Sequence, residues 1–260
     1  MSLFRSSLFG FVTLAKIIKM KKLQNKVALI TGGSSGIGFG VALSLLNEGV
    51  HVVITSRDEA RAKEAAKELQ KLSSTSAKVI GVEADVRRYE SQQKAVEHVL
   101  SQFGQLDIVI ANAGLGHFAS IEDLTPQQWQ ETIDTNLSGV FYSIKSSVEA
   151  LKKSEGYFIS ISSLAGTNFF AGGSAYNASK FGVTGFTQSV MLDLREHNIK
   201  VSTIMPGSVA THFNNHEPSA SDAWKIQSED IGDLVVSMLK LNERTLPSKI
   251  EVRPTMPASK

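Results

Sequence analysis

The chain has 260 residues, a formal net charge of +2 and no cysteine. Its apolar fraction of 42% is enough for a sizeable core and argues against disorder. The lack of cysteine excludes disulfides, thiolate metal sites and a cysteine nucleophile, and outside the extreme N-terminus there is no basic stripe for a nucleic acid. We therefore expect a globular cytoplasmic protein with no nucleic-acid partner.

Residues 1–22 differ from the rest, because they are basic, contain an apolar run at 8–15 and carry no acid. The run is too short to span a bilayer. An organelle presequence or a secretory signal would fit parts of this composition, but a small-residue cleavage site is poorly defined. We interpret 1–22 as an N-terminal extension, with Met20 as a candidate native start, ahead of one domain at 23–260.

From Lys26 onward, short β-branched apolar runs alternate with longer helical segments. The predicted strands are 27–30, 51–55, 78–83, 106–110, 157–161, 200–204 and 249–252, and the predicted helices are 37–47, 59–71, 89–103, 126–150, 174–196 and 228–239. Near-continuous apolar strands are typical of a sheet covered on both faces, and their alternation with helices indicates parallel pairing. The predicted fold is α/β, a doubly wound parallel sheet of about seven strands flanked by helices.

A glycine-rich turn, TGGSSGIG at 31–38, connects the first strand to the first helix. Glycines permit a tight turn and let a pyrophosphate approach the positive end of a helix. The spacing is G-x-x-x-G-x-G, so the turn differs from the common dinucleotide fingerprint. The residues of the turn that we expect to bind a dinucleotide are Gly32, Ser34, Ser35, Gly36, Ile37 and Gly38.

The end of the second predicted strand indicates which dinucleotide is bound. An NAD site usually has a carboxylate there for the ribose hydroxyls. This chain instead reads Ser56-Arg57, and the following Asp58 is expected to cap the next helix. Arg57 can pair with a 2′-phosphate, which a carboxylate would repel. We predict NADP(H) over NAD(H); the alternative is that Arg57 is a solvated loop residue.

Tyr176 and Lys180 are four residues apart, which places both side chains on one face of a predicted helix. A free phenol has a pKa near 10, and a nearby ammonium would lower it toward a useful range for proton transfer. A strand ends upstream in Ser162-Ser163, where a hydroxyl could bind a substrate oxygen. The order of these features after a glycine turn predicts an acid/base site at Tyr176.

The chain resembles the single-domain short-chain dehydrogenase/reductase family over roughly 23–252. The motifs that carry the resemblance are TGGSSGIG at 31–38, Asp85-Val86, Asn112-Ala113-Gly114, Asn136 in DTN, Ser163, Tyr176 with Lys180, and Pro206-Gly207 followed by Thr211. The resemblance implies a Rossmann fold and hydride transfer between a nicotinamide and a substrate carbonyl or secondary alcohol.

The resemblance also implies a role for each matching residue. Tyr176 would be the acid/base and Ser163, rather than Ser162, would polarise the substrate oxygen. Lys180 would tune Tyr176 and hold the ribose, and Asn136 would anchor a water linking Lys180 to solvent. The other implied cofactor contacts are Asp85 and Val86 at the adenine, Asn112, Ala113 and Gly114 along the channel, and Pro206, Gly207, Val209 and Thr211 at the nicotinamide.

Two departures from the family pattern bear on the substrate and on assembly. The tail lacks the glycine-rich end of the acyl-carrier-protein reductases, which weakens the acyl-chain assignment and the usual tetramer; we expect a homotetramer or homodimer. The tail resembles more the branch of the family that acts on small 3-hydroxy acids and serine-like substrates. The lid at 208–228 is short and polar, with Phe213 and Trp224 its large apolar groups, which suits a small or mixed substrate better than a sterol. The expected substrate is of the 3-oxoacyl or small 3-hydroxy acid type. Pocket candidates are Leu115, His117, Phe118, Phe169, Phe170 and Phe213.

Other chemistries have weaker support. His212 and His216 share a spacing of four but lack the glutamate of a zinc motif, so we expect no metal site. Ser163 lacks the G-x-S-x-G elbow of a hydrolase. The alternative that stays open is a sensor or scaffold that binds NADP(H) without catalysis.

Overall fold

The computed structural model describes residues 22–256. Seven strands form within this range: β1 Val27–Ile30, β2 His51–Ser56, β3 Val79–Glu83, β4 Ile108–Ala111, β5 Tyr157–Ile161, β6 Lys200–Pro206 and β7 Lys249–Val252. The α-helices are α1 Gly36–Asn47, α2 Glu59–Leu72, α3 Tyr89–Phe103, α4 Pro126–Ile133, α5 Gly139–Ser154, α6 Ser174–Leu194 and α7 Ser228–Leu239. The predicted alternation of strands and helices is confirmed.

The strands form one parallel sheet in the order β3-β2-β1-β4-β5-β6-β7. Every residue of β1, β4 and β5 is buried, as the near-continuous apolar runs predicted. The chain reverses its direction of winding between β1 and β4, and ligands of doubly wound sheets bind outside the strand ends at such a point. The fold is therefore the predicted doubly wound Rossmann type.

Helices cover both faces of the sheet and create two hydrophobic cores. One core packs α1, α2 and α7 against the sheet; its helical members include Val41, Leu45, Leu46, Leu69, Ile231 and Val235. The other packs α3, α5 and α6; its members include Val96, Val99, Ile144, Leu151 and Val183. Both faces of the sheet are therefore shielded from solvent, and polar side chains lie where the strands end.

Two predicted helix starts are confirmed by their capping bonds. The Asp58 carboxylate accepts the backbone N–H of Arg61 at 3.0 Å at the start of α2. Thr125 and Gln128 form a capping box at the start of α4, with Pro126 in the first turn. These caps fix the direction in which both helices leave the loops that border the cleft.

The predicted helix 126–150 is wrong in one respect, because a π-helical turn at Asp134–Ser138 separates α4 from α5. A π turn adds a residue to one turn of helix, which apolar periodicity does not reveal. β4 also spans Ile108–Ala111 rather than the predicted 106–110, and the Asp107 side chain just before it accepts the backbone N–H of Val27 at 2.8 Å. Within 22–256 no helix is both long and apolar enough to cross a membrane.

Candidate active site

A large cleft runs along the carboxyl ends of the strands, with a volume of about 1250 Å³. Its walls contain every catalytic and cofactor-binding residue that the sequence proposed except Gly38 and Asn136. Additional lining residues that the sequence did not single out include Arg61, Thr135, Leu164, Asn168, Lys225, Arg253 and Met256. The predicted site residues therefore share one surface, although they span about 180 positions of the chain.

The glycine turn supplies the wall between β1 and α1. Gly32 and Gly36 have φ angles of +63° and +57°, a region that side chains with a Cβ rarely adopt. Gly38 lies behind the turn, where a Cβ would come within 2.5 Å of Asn112 Nδ2. The turn thus brings the N-terminus of α1 to the cleft, which is an arrangement suited to a pyrophosphate.

Asn112 holds this turn against the end of β4. Its Nδ2 donates to the carbonyl oxygens of Thr31 and Gly32, both at 3.0 Å. In return, Thr31 Oγ1 accepts the backbone N–H groups of Asn112 at 3.1 Å and Ala113 at 3.2 Å. The Asn112 side chain therefore positions the glycine turn, and its backbone with Ala113 and Gly114 forms the cleft wall.

The β2 end of the cleft is rich in cations. Arg57 lines it with an exposed side chain, and Arg61, one turn into α2, donates from Nη2 to Ser35 Oγ at 3.3 Å. Asp85 is the one carboxylate among the lining residues within the described part of the chain. The sequence missed Arg61 because it lies on a solvated helix, and its spacing of four from Arg57 was the available signal.

Asp85 is paired within the protein. Arg87 Nε contacts both carboxylate oxygens, and Nη2 donates to Oδ2 at 2.7 Å. The hydrogen bond from Arg87 lowers the pKa of Asp85 below its ordinary value. The carboxylate is therefore ionised and held in place, and its proposed contact with an adenine stays a prediction.

Ser163 and Tyr176 both line the cleft, and their hydroxyls are close enough for Ser163 to act on the pKa of Tyr176. Ser163 is placed by its cap on the short turn after β5, where its Oγ accepts the backbone N–H of Ala165 at 3.1 Å. Ser162 is buried and donates instead to the carbonyl oxygen of Lys180 at 3.2 Å. The geometry therefore favours Ser163 over Ser162 as the partner of Tyr176.

Lys180 lies beneath Tyr176 on α6. Its ammonium donates to the carbonyl oxygen of Ile161 at 3.1 Å and lies 5.6 Å from the centre of the Tyr176 ring. Burial lowers the pKa of Lys180 to about 8. Burial also raises the pKa of Tyr176 above its ordinary value, although the nearby Ser163 hydroxyl acts in the opposite direction.

The expectation that Lys180 lowers the pKa of Tyr176 is therefore wrong for the protein in this structure. The phenol is buried among aromatic rings, and loss of solvation disfavours its charged form. Tyr176 is consequently protonated over a wide pH range. A protonated phenol is the form needed to donate a proton to a substrate oxygen.

Asn136 lies in the π-helical turn and is fully buried beside the cleft. Its Nδ2 donates to the carbonyl oxygen of Leu115 at 2.8 Å and to Ser179 Oγ at 3.0 Å, while its Oδ1 accepts the N–H of Leu115 at 2.9 Å. A Cβ on Gly114 would meet both Asn136 Oδ1 and Lys180 Nζ, at 3.3 and 3.7 Å. Asn136 therefore fixes the loop after β4 next to Lys180.

Aromatic rings pack against Tyr176. The ring centre of Tyr176 lies 5.3 Å from that of Phe118 and 5.8 Å from that of Phe213. Phe118 in turn lies 5.9 Å from Phe170. Of the other pocket candidates, Leu115 and His117 line the cleft, whereas Phe169 is 86% exposed and does not.

The lid after β6 is held by a buried carboxylate. Asp222 contacts His216 Nε2 at 2.6 Å and Lys225 Nζ at 2.5 Å, and these two hydrogen bonds lower the pKa of Asp222 strongly. Trp224 lines the cleft beside this cluster. Within residues 22–256, no group of three or more His, Cys, Asp or Glu side chains could hold a metal ion.

Comparison with known proteins identifies the class. The short chain dehydrogenase family model matches residues 26–222, and the chain belongs to this family. It is 34% identical over 240 residues to an uncharacterised oxidoreductase of Staphylococcus saprophyticus, covering 90% of this chain and all of that one. It is also 34% identical to trans-4-hydroxycyclohexanecarboxylate dehydrogenase of Sinomonas cyclohexanicum, covering 83% of this chain and 86% of the other.

A solved structure with the same architecture is the alcohol dehydrogenase of the archaeon Thermococcus sibiricus complexed with 5-hydroxy-NADP. The TM-score is 0.83 at 27% identity, covering 90% of this chain and 99% of that one. The protein is therefore an oxidoreductase that acts on CH–OH groups of small molecules with a nicotinamide cofactor.

Proposed function

We propose that this protein is an NADP(H)-dependent oxidoreductase of a carbonyl or secondary alcohol, with Tyr176 as the acid/base. The observation that carries the proposal is the placement of Ser163, Tyr176 and Lys180 together in the cleft bordered by the glycine turn, with the Lys180 ammonium 5.6 Å from the centre of the Tyr176 ring. In reduction, Ser163 would hold the substrate oxygen while Tyr176 donates its phenolic proton to that oxygen. The reverse proton transfer would serve oxidation.

The residues present fit a nicotinamide dinucleotide. The positive φ angles of Gly32 and Gly36 create the backbone turn that a pyrophosphate needs, and the cleft is large enough for a dinucleotide with a substrate. When bound, the cofactor supplies the hydride. The residues proposed to hold it are Gly32, Ser34, Ser35, Gly36, Ile37, Ser56, Arg57, Asp85, Val86, Asn112, Ala113, Gly114, Tyr176, Lys180, Pro206, Gly207, Val209 and Thr211, with Gly38 packing the turn from behind.

Asn136 and Lys180 would support the proton transfer. Lys180 would bind the ribose, and its low pKa of about 8 makes it able to exchange a proton near neutral pH. Both hydrogens of the Asn136 amide are used by Leu115 and Ser179. A water linking Lys180 to solvent would therefore have only the oxygen of Asn136 to bind.

The preference for NADP(H) rests on the charges after β2. Arg57 and Arg61 both line the cleft, and Ser35 lies within hydrogen-bond distance of Arg61. Two guanidinium groups suit a 2′-phosphate, whereas a site for unphosphorylated ribose would contain a carboxylate. The similar alcohol dehydrogenase complexed with 5-hydroxy-NADP supports the same preference.

For the substrate we propose a 3-oxoacyl or small 3-hydroxy acid type, bound with its apolar part against Phe118, Phe170 and Phe213. These rings are each about 40–50% exposed beside Tyr176, so a substrate can cover them. A similar protein is named for a cyclic hydroxy acid, which is compatible with a compact apolar body that carries a carboxylate.

We also propose a homodimer or homotetramer in which a second copy covers the exposed apolar side chains of α5 and α6. Phe141, Phe181 and Leu192 are 43%, 44% and 50% exposed there. Sedimentation of the purified chain would test this.

The cytoplasmic location and the boundary between 1–22 and the domain at 23–260 stay predictions, since residues 1–21 lie outside the described range.

The proposed function is tested by following NADPH oxidation with 3-oxoacyl thioesters, small 3-oxo acids, and cyclic and open-chain ketones. We expect turnover with at least one class, its loss in Tyr176→Phe, and nearly unchanged NADPH binding in that variant. Tyr142→Phe is the matched control, because Tyr142 packs against Tyr89 and does not line the cleft. Tight NADPH binding without turnover on any substrate would favour the sensor.

A further inference from the structure

Glu131 on α4 is a carboxylate at the border of the cleft that contacts three separate loops. Its Oε1 lies 4.0 Å from Arg57 Nη1 and 3.6 Å from Arg87 Nη1, and its Oε2 lies 3.0 Å from His117 Nε2. About two thirds of its side chain is shielded from solvent. Glu131 therefore stands between the loop after β2, the loop after β3 and the loop after β4.

The two arginines near Glu131 are not equivalent. Arg87 already has a bidentate partner in Asp85, so its charge is matched without Glu131. Within residues 22–256, Glu131 is the one carboxylate in ion-pair contact with Arg57, and the Arg57 side chain is 60% exposed. Removing Glu131 would therefore leave Arg57 without an ion-pair contact among these residues, and Asp85 would act on it only through its longer-range charge.

We propose that Glu131 sets the cofactor preference by competing with the 2′-phosphate for Arg57. The inference rests on the proposed NADP(H) function. A dinucleotide with a free 2′-hydroxyl has no anionic group there to pair with Arg57, so the Glu131 carboxylate lowers its binding affinity little. A 2′-phosphate must replace Glu131 as the ion-pair partner of Arg57. The negative charge of the Glu131 carboxylate also repels the phosphate. Glu131 thus keeps NAD(H) usable in a site whose other charges favour NADP(H).

The test uses two nucleotides that lack the nicotinamide, so it does not depend on turnover. Binding of adenosine 2′,5′-bisphosphate and of AMP is measured by calorimetry on the full chain and on Glu131→Gln. We expect the variant to bind the bisphosphate about three- to tenfold more tightly, as one partly exposed charge would cause, and AMP equally. Glu97→Gln, an exposed glutamate on α3, is the control and should change neither affinity.

Two further variants separate competition for Arg57 from other effects. In an Arg57→Ala background, Glu131→Gln should leave the bisphosphate affinity unchanged, because Glu131 acts on that affinity through Arg57. His117→Ala, which removes the contact of the other carboxylate oxygen, should not reproduce the gain. Equal gains with and without Arg57, a gain in His117→Ala, or no gain at all would each overturn the inference.

The same binding measurements distinguish the role of Glu131 from the NADP(H) preference of the site. If the wild-type chain binds the bisphosphate no more tightly than AMP and Arg57→Ala changes neither, the NADP(H) preference itself is wrong. If the wild type prefers the bisphosphate through Arg57 but Glu131→Gln changes nothing, only the role of Glu131 is wrong.

Discussion

Lys180 donates a hydrogen bond of 3.1 Å from its ammonium to the carbonyl oxygen of Ile161, the last residue of β5. Both serines that follow Ile161 border the cleft, so this bond ties the base of the candidate site to the strand that carries Ser163. The ammonium is buried, and this burial makes Lys180 a source of pH-dependent stability.

The first prediction is that the protein becomes more stable as the pH rises from about 8 toward 10.5. The pKa of Lys180 is about 8 in the folded chain and 10.5 for an ordinary lysine, so in this window the unfolded chain binds the extra proton. The free energy of unfolding then increases with pH, by up to about 3 kcal/mol at 1.36 kcal/mol per pKa unit. Below pH 8 both states are protonated and the contribution is constant.

Urea unfolding of the wild type and Lys180→Met between pH 7 and 10 would measure this effect. The wild type should gain stability relative to the variant across the window, because methionine cannot titrate. Curves that stay parallel over that range would show that Lys180 keeps an ordinary pKa.

The second prediction distinguishes the two serines after β5. Ser163→Ala should lower kcat/KM by about 10²- to 10³-fold, as loss of one hydrogen bond to a reacting oxygen does. Ser162→Ala removes a buried donor to the carbonyl oxygen of Lys180 and should lower the unfolding free energy by about 1–2 kcal/mol with a smaller effect on kcat/KM. Steady-state kinetics and thermal unfolding of both variants check this, and the reverse ranking would assign the substrate oxygen to Ser162.

The sequence predicted the strands well because each buried strand is a continuous apolar run between turns. β1, β5 and β7 have the predicted bounds. Ser163, Tyr176 and Lys180 line the cleft and Asn136 is buried, while their catalytic roles stay predictions. The π-helical turn that carries Asn136 was missed, since one inserted residue leaves the apolar periodicity of the flanking helices intact.

The charges around the cleft were only partly predictable. Arg57 was found from its position at the end of β2, but Arg61 and Glu131 lie on helices whose exposed faces are expected to be charged. Their function depends on which loops they meet in three dimensions. The pKa of Tyr176 was predicted in the wrong direction for a related reason, because burial is a property of packing and cannot be read from a spacing of four residues.

The third prediction concerns the aromatic rings near Tyr176. Phe213→Ala should raise KM for an apolar carbonyl substrate about ten- to hundredfold, since a ring covered on binding contributes roughly 1.5–3 kcal/mol. kcat should change little, because Phe213 holds no reacting atom. Phe169→Ala is the matched control, since Phe169 is 86% exposed and outside the cleft. Equal effects of the two substitutions would place the substrate elsewhere.

The last prediction concerns Asn136, whose amide makes three hydrogen bonds to Leu115 and Ser179. Asn136→Ala leaves partly buried backbone groups of Leu115 without partners and should lower the unfolding free energy by about 2–4 kcal/mol. It should also lower kcat, because the loop after β4 and the helix that carries Lys180 lose their link. Asn242→Ala, which removes only a bond to the backbone N–H of Arg244 in an exposed turn, is the control and should cost below about 1 kcal/mol. Urea unfolding combined with steady-state kinetics measures both effects, and a variant with wild-type stability but no activity would limit Asn136 to the proton route.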